Sequence, residues 1–167
     1  MENNTLCCCE DNHWWFASRT RALLGMMDRA LPGRDYEVLD IGCGTGASTL
    51  VLAAELDAQI TAVDFAPEFL AELRGRAGRA GLAERITMLA APMETLPFEA
   101  ASFDAIWSEG AIYNMGFAAG VRAWRKFLKP GGVLAVSELT WFTDRRPEAL
   151  RAHWWACSSS PGPSASL

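Results

Sequence analysis

The sequence predicts an α/β protein built on an open sheet of about five parallel strands, with helices on both faces. Short apolar runs of strand length alternate with longer segments in which apolar residues recur at helical spacing. In addition, an apolar run at residues 38–41 leads into a glycine-rich turn and then a helix. That unit is typical of parallel sheets whose strands are joined by helical crossovers.

Five segments have the composition of buried strands, each short, apolar and bounded by polar, Gly or Pro residues. The predicted strands are residues 37–41, 60–64, 86–90, 103–108 and 133–138. The sequence Pro130-Gly131-Gly132 is predicted to turn the chain into the last strand. Because the connections can hold helices, we expect right-handed crossovers and a parallel sheet.

Helices are predicted before and between these strands. Pro32-Gly33 ends the first helix, the second covers residues 47–56, and Pro67 opens the third at a position that suits proline. A further helix is expected over residues 147–155. The apolar residues at helical spacing are Leu23, Leu24, Met27 and Leu31 in the first helix, Phe69, Leu70, Leu73 and Ala77 in the third, and Phe117, Val121, Trp124 and Leu128 in the fourth.

Composition indicates one globular domain. The chain has 167 residues, of which 50% are hydrophobic and 21% charged. We expect an N-terminal tail and helix at residues 1–34, the cofactor-binding domain at 35–157 and a disordered tail at 158–167. The net charge is −5 and no basic stripe is visible, so neither a nucleic acid nor an anionic membrane is an expected partner. No apolar run is long enough to span a bilayer.

The five cysteines show no metal-binding pattern. Cys7, Cys8 and Cys9 are consecutive, and Cys43 and Cys157 stand alone. No C-x-x-C pair occurs, and no histidine has ligand spacing from the cluster, so no metal site is predicted. No secretion signal is visible at the N-terminus. We therefore expect a reduced chain located in the cytoplasm.

The segment Val-Leu-Asp-Ile-Gly-Cys-Gly-Thr-Gly at residues 38–46 carries the strongest functional signal. Its glycines let the backbone turn sharply and lie close to a ligand, at the N-terminus of a helix. An acid follows about 20 residues further on, where such folds hold ribose hydroxyls. The residues predicted to bind a nucleotide-like cofactor here are Asp40, Gly42, Cys43, Gly44, Gly46 and Asp64.

The glycines alone leave two kinds of cofactor open. Counting Ala47, the loop satisfies the dinucleotide pattern G-x-G-x-x-G/A, so a NAD-dependent oxidoreductase is one alternative. Asp40 argues against it, because a carboxylate there would face a pyrophosphate with the wrong charge. The same carboxylate suits a ligand that carries an ammonium and a sulfonium. An oxidoreductase would also need a separate substrate domain, for which this chain is too short.

The chain resembles the class I S-adenosylmethionine-dependent methyltransferases, whose fold is Rossmann-like. The resemblance covers residues 35–155 and depends on several segments in the right order. These are residues 38–46, 60–64, 94–98, 103–107 and 128–136, and residues 108–116 are similar to a bacterial subgroup. The resemblance implies S-adenosyl-L-methionine as cofactor, a small-molecule methyl acceptor and methyl transfer as the reaction.

The resemblance also implies roles for residues that follow the strands. Asp64 would accept hydrogen bonds from the ribose, and its alternative role is to cap the helix that begins at Pro67. Phe65 would cover the adenine, or else pack in the core. Met93 and Glu94 would border the adenine. Many family members carry an Asp just before this pair, whereas this chain has Pro92, so adenine selection would be weaker or would depend on backbone groups.

Polar residues at the end of the fourth strand are the candidates for chemistry. Glu109 is the candidate catalytic residue, as a base or as a contact for the cofactor's amino group, and Ser108 is a candidate cofactor contact. Tyr113 and Asn114 are candidate substrate contacts. His13, which precedes three aromatic residues, could belong to a lid over the site or to a hydrophobic anchor for the first helix.

Family members normally add two further strands, the last antiparallel, and this chain offers none. Residues 158–167 contain two prolines and small residues, which do not form a sheet strand. We therefore expect the C-terminal β-hairpin to be missing. An inactive remnant that only binds cofactor is a second alternative, and a natural minimal domain is a third. In each case the fifth strand would be an open edge through which the protein could self-associate.

Overall fold

Five parallel strands form one open sheet in the structure, a computed structural model that describes residues 14–30, 33, 35–56, 58–138 and 147–148. The strands are β1 (Tyr36–Ile41), β2 (Ala58–Asp64), β3 (Ile86–Ala90), β4 (Phe103–Glu109) and β5 (Leu128–Ser137). Their order in the sheet is β3-β2-β1-β4-β5. The α/β class and the parallel sheet predicted from the sequence are confirmed.

Helices cover both faces of this sheet, as predicted. Within the described residues they are α1 (Trp14–Ala30), α2 (Ala47–Glu55), α3 (Pro67–Ala80) and α4 (Phe117–Trp124). Single turns of 3-10 helix lie at Ala83–Arg85, Ile112–Asn114 and Arg125–Phe127. Among these helices, none is long and apolar enough to cross a membrane.

The first face of the sheet packs against α1, α2 and α3. Met27, Leu52 and Leu73 reach from these helices into one buried cluster, which also contains Trp107 of β4. All four side chains are at most 1% exposed. Burying side chains of this size stabilises a fold by about 1.5–3 kcal/mol each. This cluster therefore fixes α2 and α3 on the sheet beside the glycine loop.

The second face packs against α4 and the long connection between β3 and β4. Ile112, Trp124 and Phe127 are buried there together with Leu96 of the connection. The rings of Phe98 and Phe127 meet edge to face, with centroids 6.0 Å apart. The connection is thus anchored to the core, although it contains no regular secondary structure between β3 and β4.

The start of β5 differs from the prediction. The sequence pattern predicts Leu128 on the fourth helix and the strand from residue 133, but β5 begins at Leu128, which pairs with Phe103. The register then shifts between Phe103 and Ala105, so that Ala105 pairs with Val133. A Cβ at Gly132 would lie 2.9 Å from the Asp104 carbonyl oxygen, so glycine permits this close approach. The helix ends early because the chain must join the sheet there.

Several predictions lie outside the described residues. These are the tail up to and including His13, the helix over residues 147–155 apart from 147–148, and the tail at 158–167. The missing C-terminal hairpin and the domain boundaries therefore stay predictions. Within the described chain, β5 pairs with β4 on one side only.

Candidate functional site

A cavity of about 660 Å³ lies at the carboxyl ends of β1, β2 and β4. The sheet order reverses at this point, since β2 and β4 flank β1 on opposite sides. Open α/β sheets bind ligands at such a reversal. The lining residues that the sequence predicted are Asp40, Gly42, Cys43, Gly44, Asp64, Phe65, Met93, Glu94, Glu109, Tyr113 and Asn114.

The glycine loop is held by its own backbone and by β2. The N–H groups of Gly42 and Cys43 donate to the carbonyl of Val63, at 2.8 and 3.1 Å. Gly42 has φ +73°, and a Cβ there would lie 2.3 Å from the Cβ of Ala111. Gly44 also has a positive φ, but no atom lies within 4 Å of the place where its Cβ would be. Gly44 thus leaves open space in the cavity that a side chain would fill.

Gly46 packs closely against a neighbouring helix, and its predicted contact with the cofactor stays a prediction. It precedes α2 with φ +85°, and a Cβ there would lie 2.1 Å from Cδ1 of Leu73. Gly46 is not among the residues that line the cavity. The close packing of α2 against α3 is sufficient to require glycine at this position.

Asp64 ties the loop to the end of β2. Its Oδ2 accepts a 2.9 Å hydrogen bond from the N–H of Gly44, and its Oδ1 accepts one of 3.0 Å from the N–H of Ala66. Ala66 immediately precedes α3. Each carboxylate oxygen has a second lone pair, so the group can also accept from a ligand hydroxyl. The capping interpretation and the ribose interpretation are therefore compatible.

Asp40 is a buried carboxylate at the floor of the cavity. It is 2% exposed, and Oγ1 of Thr49 donates to its Oδ2 at 2.6 Å. Burial raises the pKa of Asp40 to about 7; the Thr49 hydrogen bond opposes this rise, and the nearby carboxylates Glu109 and Asp64 add to it. A cationic ligand would favour the ionised form of this group.

Glu109 is fixed by two hydroxyl groups from different helices. Thr20 of α1 donates to Oε2 of Glu109 at 3.0 Å, and the Ser48 hydroxyl of α2 donates to the same oxygen. Glu109 and Ser48 both line the cavity. The candidate catalytic residue is therefore held in one orientation, on the same wall as the N-terminus of α2.

Ser108 does not line the cavity. Its side chain is fully buried, and its hydroxyl donates to the carbonyl of Ile41 at 2.9 Å. The Ser108 hydroxyl is thus used within the sheet, and its contact with the cofactor stays a prediction. Successive side chains of a strand point to opposite faces, so Glu109 reaches the cavity while Ser108 ties β4 to β1.

Exposed aromatic side chains surround the cavity mouth. Phe65 and Tyr113 are 70% and 45% exposed, and both line the cavity as the sequence predicted. Phe69 also lines it and is 42% exposed, so its predicted place on the buried face of the third helix is wrong. Asn114 donates from Nδ2 to the carbonyl of Ala111 at 3.0 Å, which orients its amide.

The segment after β3 forms the wall opposite the glycine loop. Pro92, Met93 and Glu94 line the cavity, and the N–H of Thr95 donates to the Pro92 carbonyl at 3.2 Å to close a turn. Nε1 of Trp124 donates to the Met93 carbonyl at 3.0 Å. The backbone of this turn is thus held from the second face of the sheet.

Sequence reasoning missed some residues at this site. Arg76 of α3 donates from Nη1 to the carbonyl of Thr45 at 3.1 Å and to Oγ1 of Thr45 at 3.2 Å. These two hydrogen bonds hold the glycine loop against α3. No local pattern marks Arg76, because it lies 31 residues along the chain from Thr45. Arg76 does not line the cavity; the lining residues that were missed are Thr45, Ala47, Ser48, Val63, Phe69, Ala91, Gly110 and Ala111. His13 lies outside the described residues.

The electrostatics of the lining favour a cation over a pyrophosphate. Asp40, Asp64, Glu94 and Glu109 contribute carboxylates, and no Lys, Arg or His is among the lining residues that the structure describes. Burial raises the pKa of the Cys43 thiol well above its usual range, so this thiol is neutral and unreactive at neutral pH. The fold and the site together define a nucleotide-type binding domain for a ligand with positive charge.

Comparison with known proteins identifies the family. Residues 38–132 match the model of the methyltransferase domain, so the chain belongs to this family. The demethylmenaquinone methyltransferase of Mycolicibacterium gilvum is 30% identical over 171 residues, covering 96% of this chain and 68% of that protein. The malonyl-[acyl-carrier protein] O-methyltransferase of Enterobacter lignolyticus is 34% identical over 133 residues, 78% of this chain and 49% of that protein.

A solved structure with the same fold is the phosphoethanolamine N-methyltransferase 2 of Haemonchus contortus, in complex with S-adenosyl-L-methionine. Its TM-score is 0.72 at 24% identity, and the match covers 83% of this chain and 32% of that chain. The chain spans about half the length of most curated relatives that it matches. The predicted class I methyltransferase family is confirmed, and the NAD-dependent oxidoreductase alternative gains no support.

Proposed function

We propose that this protein binds S-adenosyl-L-methionine and directs methyl transfer to a small-molecule acceptor. The observation that carries the proposal is the set of carboxylates around the glycine loop, with Asp40 at the floor, Asp64 at the end of β2 and Glu109 at the end of β4. When bound, the cofactor supplies a methyl group on a sulfonium that is already a good leaving group. The protein then contributes mainly positioning and exclusion of water.

The residues present fit this cofactor. The open space beside Gly44 admits a ligand against the backbone, and Asp64 can accept from ribose hydroxyls while it holds Gly44. Phe65 and Met93 offer apolar surface for a base. Asp40 and Glu109 would attract an ammonium group, since opposite charges in a partly buried site interact strongly.

Glu109 would orient the cofactor rather than act primarily as a base. Two hydroxyl donors, from Thr20 and Ser48, already hold its carboxylate. An acceptor that needs deprotonation could still use it, because it lines the same cavity as Tyr113 and Asn114. The exposed rings of Phe65, Phe69 and Tyr113 favour an acceptor with an apolar or aromatic part. Demethylmenaquinone, named for one relative, has such a part.

Calorimetry with three ligands tests the cofactor proposal. We expect saturable binding of S-adenosylmethionine and S-adenosylhomocysteine, and no saturable binding of NADH. Micromolar binding of NADH without binding of S-adenosylhomocysteine would refute the proposal. A methyl-transfer assay with phenolic and quinol acceptors then distinguishes an active enzyme from the alternative, a protein that binds cofactor without turnover.

Two further predictions concern self-association and the location of the protein in the cell. Self-association through the β5 edge follows from the absence of a second partner strand in the described chain. Sedimentation velocity over a range of concentrations tests it, and a monomer at every concentration would contradict it. A cytoplasmic location stays a prediction, for which the free Cys43 thiol is consistent support.

A further inference from the structure

Trp124 connects the buried core of the second face to the wall of the cavity. It ends α4, its side chain is fully buried, and Nε1 donates to the Met93 carbonyl at 3.0 Å. Met93 lines the cavity. A buried indole N–H commonly finds a partner, but here the partner is the backbone of an irregular segment 31 residues away. The contact therefore fixes a segment that no sheet or helix ladder fixes.

The segment around Met93 is anchored at both sides of that contact. The N–H of Ala91 donates to the Asp64 carbonyl at 3.0 Å, and the N–H of Thr95 donates to the Pro92 carbonyl at 3.2 Å. Between these points Pro92 has no N–H to donate. Among the described residues, the Trp124 side chain thus holds the Met93 peptide through a hydrogen bond from its indole N–H.

The hydrogen bond from Trp124 to the Met93 carbonyl matters for ligand binding because position 92 has no side-chain acceptor. Pro92 offers no side-chain acceptor, and a backbone group of Met93 or Glu94 in the cavity wall can read a base edge only if it is held in place. We propose that Trp124 is a positioning residue for base recognition. Its indole fixes the Met93 peptide so that the adjoining backbone groups can select adenine. This inference depends on the proposed cofactor.

Trp107 provides a matched control. It is also fully buried, but it lies on β4 in the cluster of the opposite face, and its Nε1 has no hydrogen-bond partner among the described residues. Trp107→Phe and Trp124→Phe remove the same atoms from two buried sites. Only the second substitution removes a hydrogen bond to the cavity wall.

The test compares S-adenosylhomocysteine with S-inosylhomocysteine, in which hypoxanthine replaces adenine, by calorimetry. The wild type should prefer the adenine compound. Trp124→Phe should weaken binding of that compound about threefold to tenfold, the effect of one lost hydrogen bond. Binding of the hypoxanthine compound should hardly change, because its base edge mismatches the same backbone groups. Trp107→Phe should keep the wild-type preference.

Three results would overturn the inference: equal wild-type affinity for the two compounds, equal weakening of both by Trp124→Phe, or loss of the preference in Trp107→Phe as well. Wild type that binds neither compound would instead refute the proposed function, and the inference with it. The two failures are therefore distinguishable.

A measurement on the unaltered protein covers the case in which Trp124→Phe does not fold. With isotope-labelled tryptophan, the indole N–H of Trp124 is assigned by its through-space contacts to Met93. Its exchange with solvent should slow more with S-adenosylhomocysteine than with S-inosylhomocysteine, while that of Trp107 responds equally to both. Identical responses of the Trp124 indole to the two compounds would overturn the inference.

Discussion

The Thr49 hydroxyl donates a 2.6 Å hydrogen bond to the buried Asp40 carboxylate at the floor of the cavity. Thr49 belongs to α2 and is itself fully buried, so the pair joins the helix after the glycine loop to the strand before it. This hydrogen bond favours the charged form, but burial outweighs it and raises the pKa of Asp40 to about 7. Asp40 therefore changes charge in the physiological range.

We predict that S-adenosylmethionine binds more tightly as the pH rises from about 6 to about 8, because the cationic cofactor favours ionised Asp40. Well below pH 7, binding should release close to one proton, and affinity should change at most about tenfold per pH unit. Calorimetry in buffers of different ionisation enthalpy measures this release. Asp40→Asn should bind weakly at every pH, without the Asp40-linked proton release. Equal proton release in the variant would assign it to another group.

The same carboxylate should make the ligand-free protein less stable at high pH. The folded-state pKa of about 7 lies above the ordinary value of 3.8, so the folded chain holds this proton more tightly than the unfolded chain. Below about pH 4 this group contributes its full amount, about 4 kcal/mol, to the free energy of unfolding. The contribution is lost as the pH rises to about 7. Urea unfolding at pH 5 and pH 8 should show the larger part of this loss in the wild type and a smaller change in Asp40→Asn. An equal loss in both would contradict the prediction.

Asp64→Ala should weaken S-adenosylhomocysteine binding at least about tenfold and also lower stability, because two backbone N–H groups lose their acceptor. Asp64→Asn should lose less affinity and less stability than Asp64→Ala, since its amide keeps one oxygen. Asp104 is a suitable control, because its carboxylate accepts from the N–H of Glu37 and from Lys129 without lining the cavity. Asp104→Ala should lower the melting temperature without changing affinity. Unchanged affinity in folded Asp64→Ala would place ribose binding elsewhere.

Alanine substitution should separate two roles within the glycine loop. Gly46→Ala places a Cβ 2.1 Å from Leu73, so we expect a large loss of stability. Gly44→Ala meets no atom within 4 Å, so its cost to the fold should be only the left-handed backbone penalty of about 1–2 kcal/mol. The new methyl group would however occupy ligand space and reduce affinity. Melting temperatures and calorimetry of both variants test this, and full affinity in Gly44→Ala would contradict it.

Arg76→Ala should weaken cofactor binding about threefold to tenfold by releasing the glycine loop at Thr45. Arg85 is the matched control, since it donates to the carbonyls of Ala53 and Leu56 at the far end of α2. Arg85→Ala should lower stability and leave affinity unchanged. Equal affinity losses in the two variants would mean that Arg76 has only a structural role.

Local sequence patterns were sufficient to predict the framework of the site. The apolar run of β1, the glycines after it and the acid at the end of β2 follow one another within one strand-turn-helix-strand unit. Each of these features is governed by interactions over a few residues, such as strand burial, positive φ at glycine and helix initiation at Pro67. For that reason local patterns alone place Asp40, Gly44 and Asp64 at the cavity.

Contacts between distant segments were decided only by tertiary structure. The Glu109 carboxylate is held by Thr20 of α1 and Ser48 of α2, which lie 89 and 61 residues away in the chain. Likewise, Arg76 and Trp124 each hold a cavity segment 31 residues away, and no local pattern predicts either contact, although Trp124 itself lies at helical spacing. Sequence by itself indicated the glycine loop and its flanking acids as candidates for binding a cationic nucleotide-like ligand, because those rules are local. The packing of helices on the sheet determined how these residues are held, because that geometry depends on the whole chain.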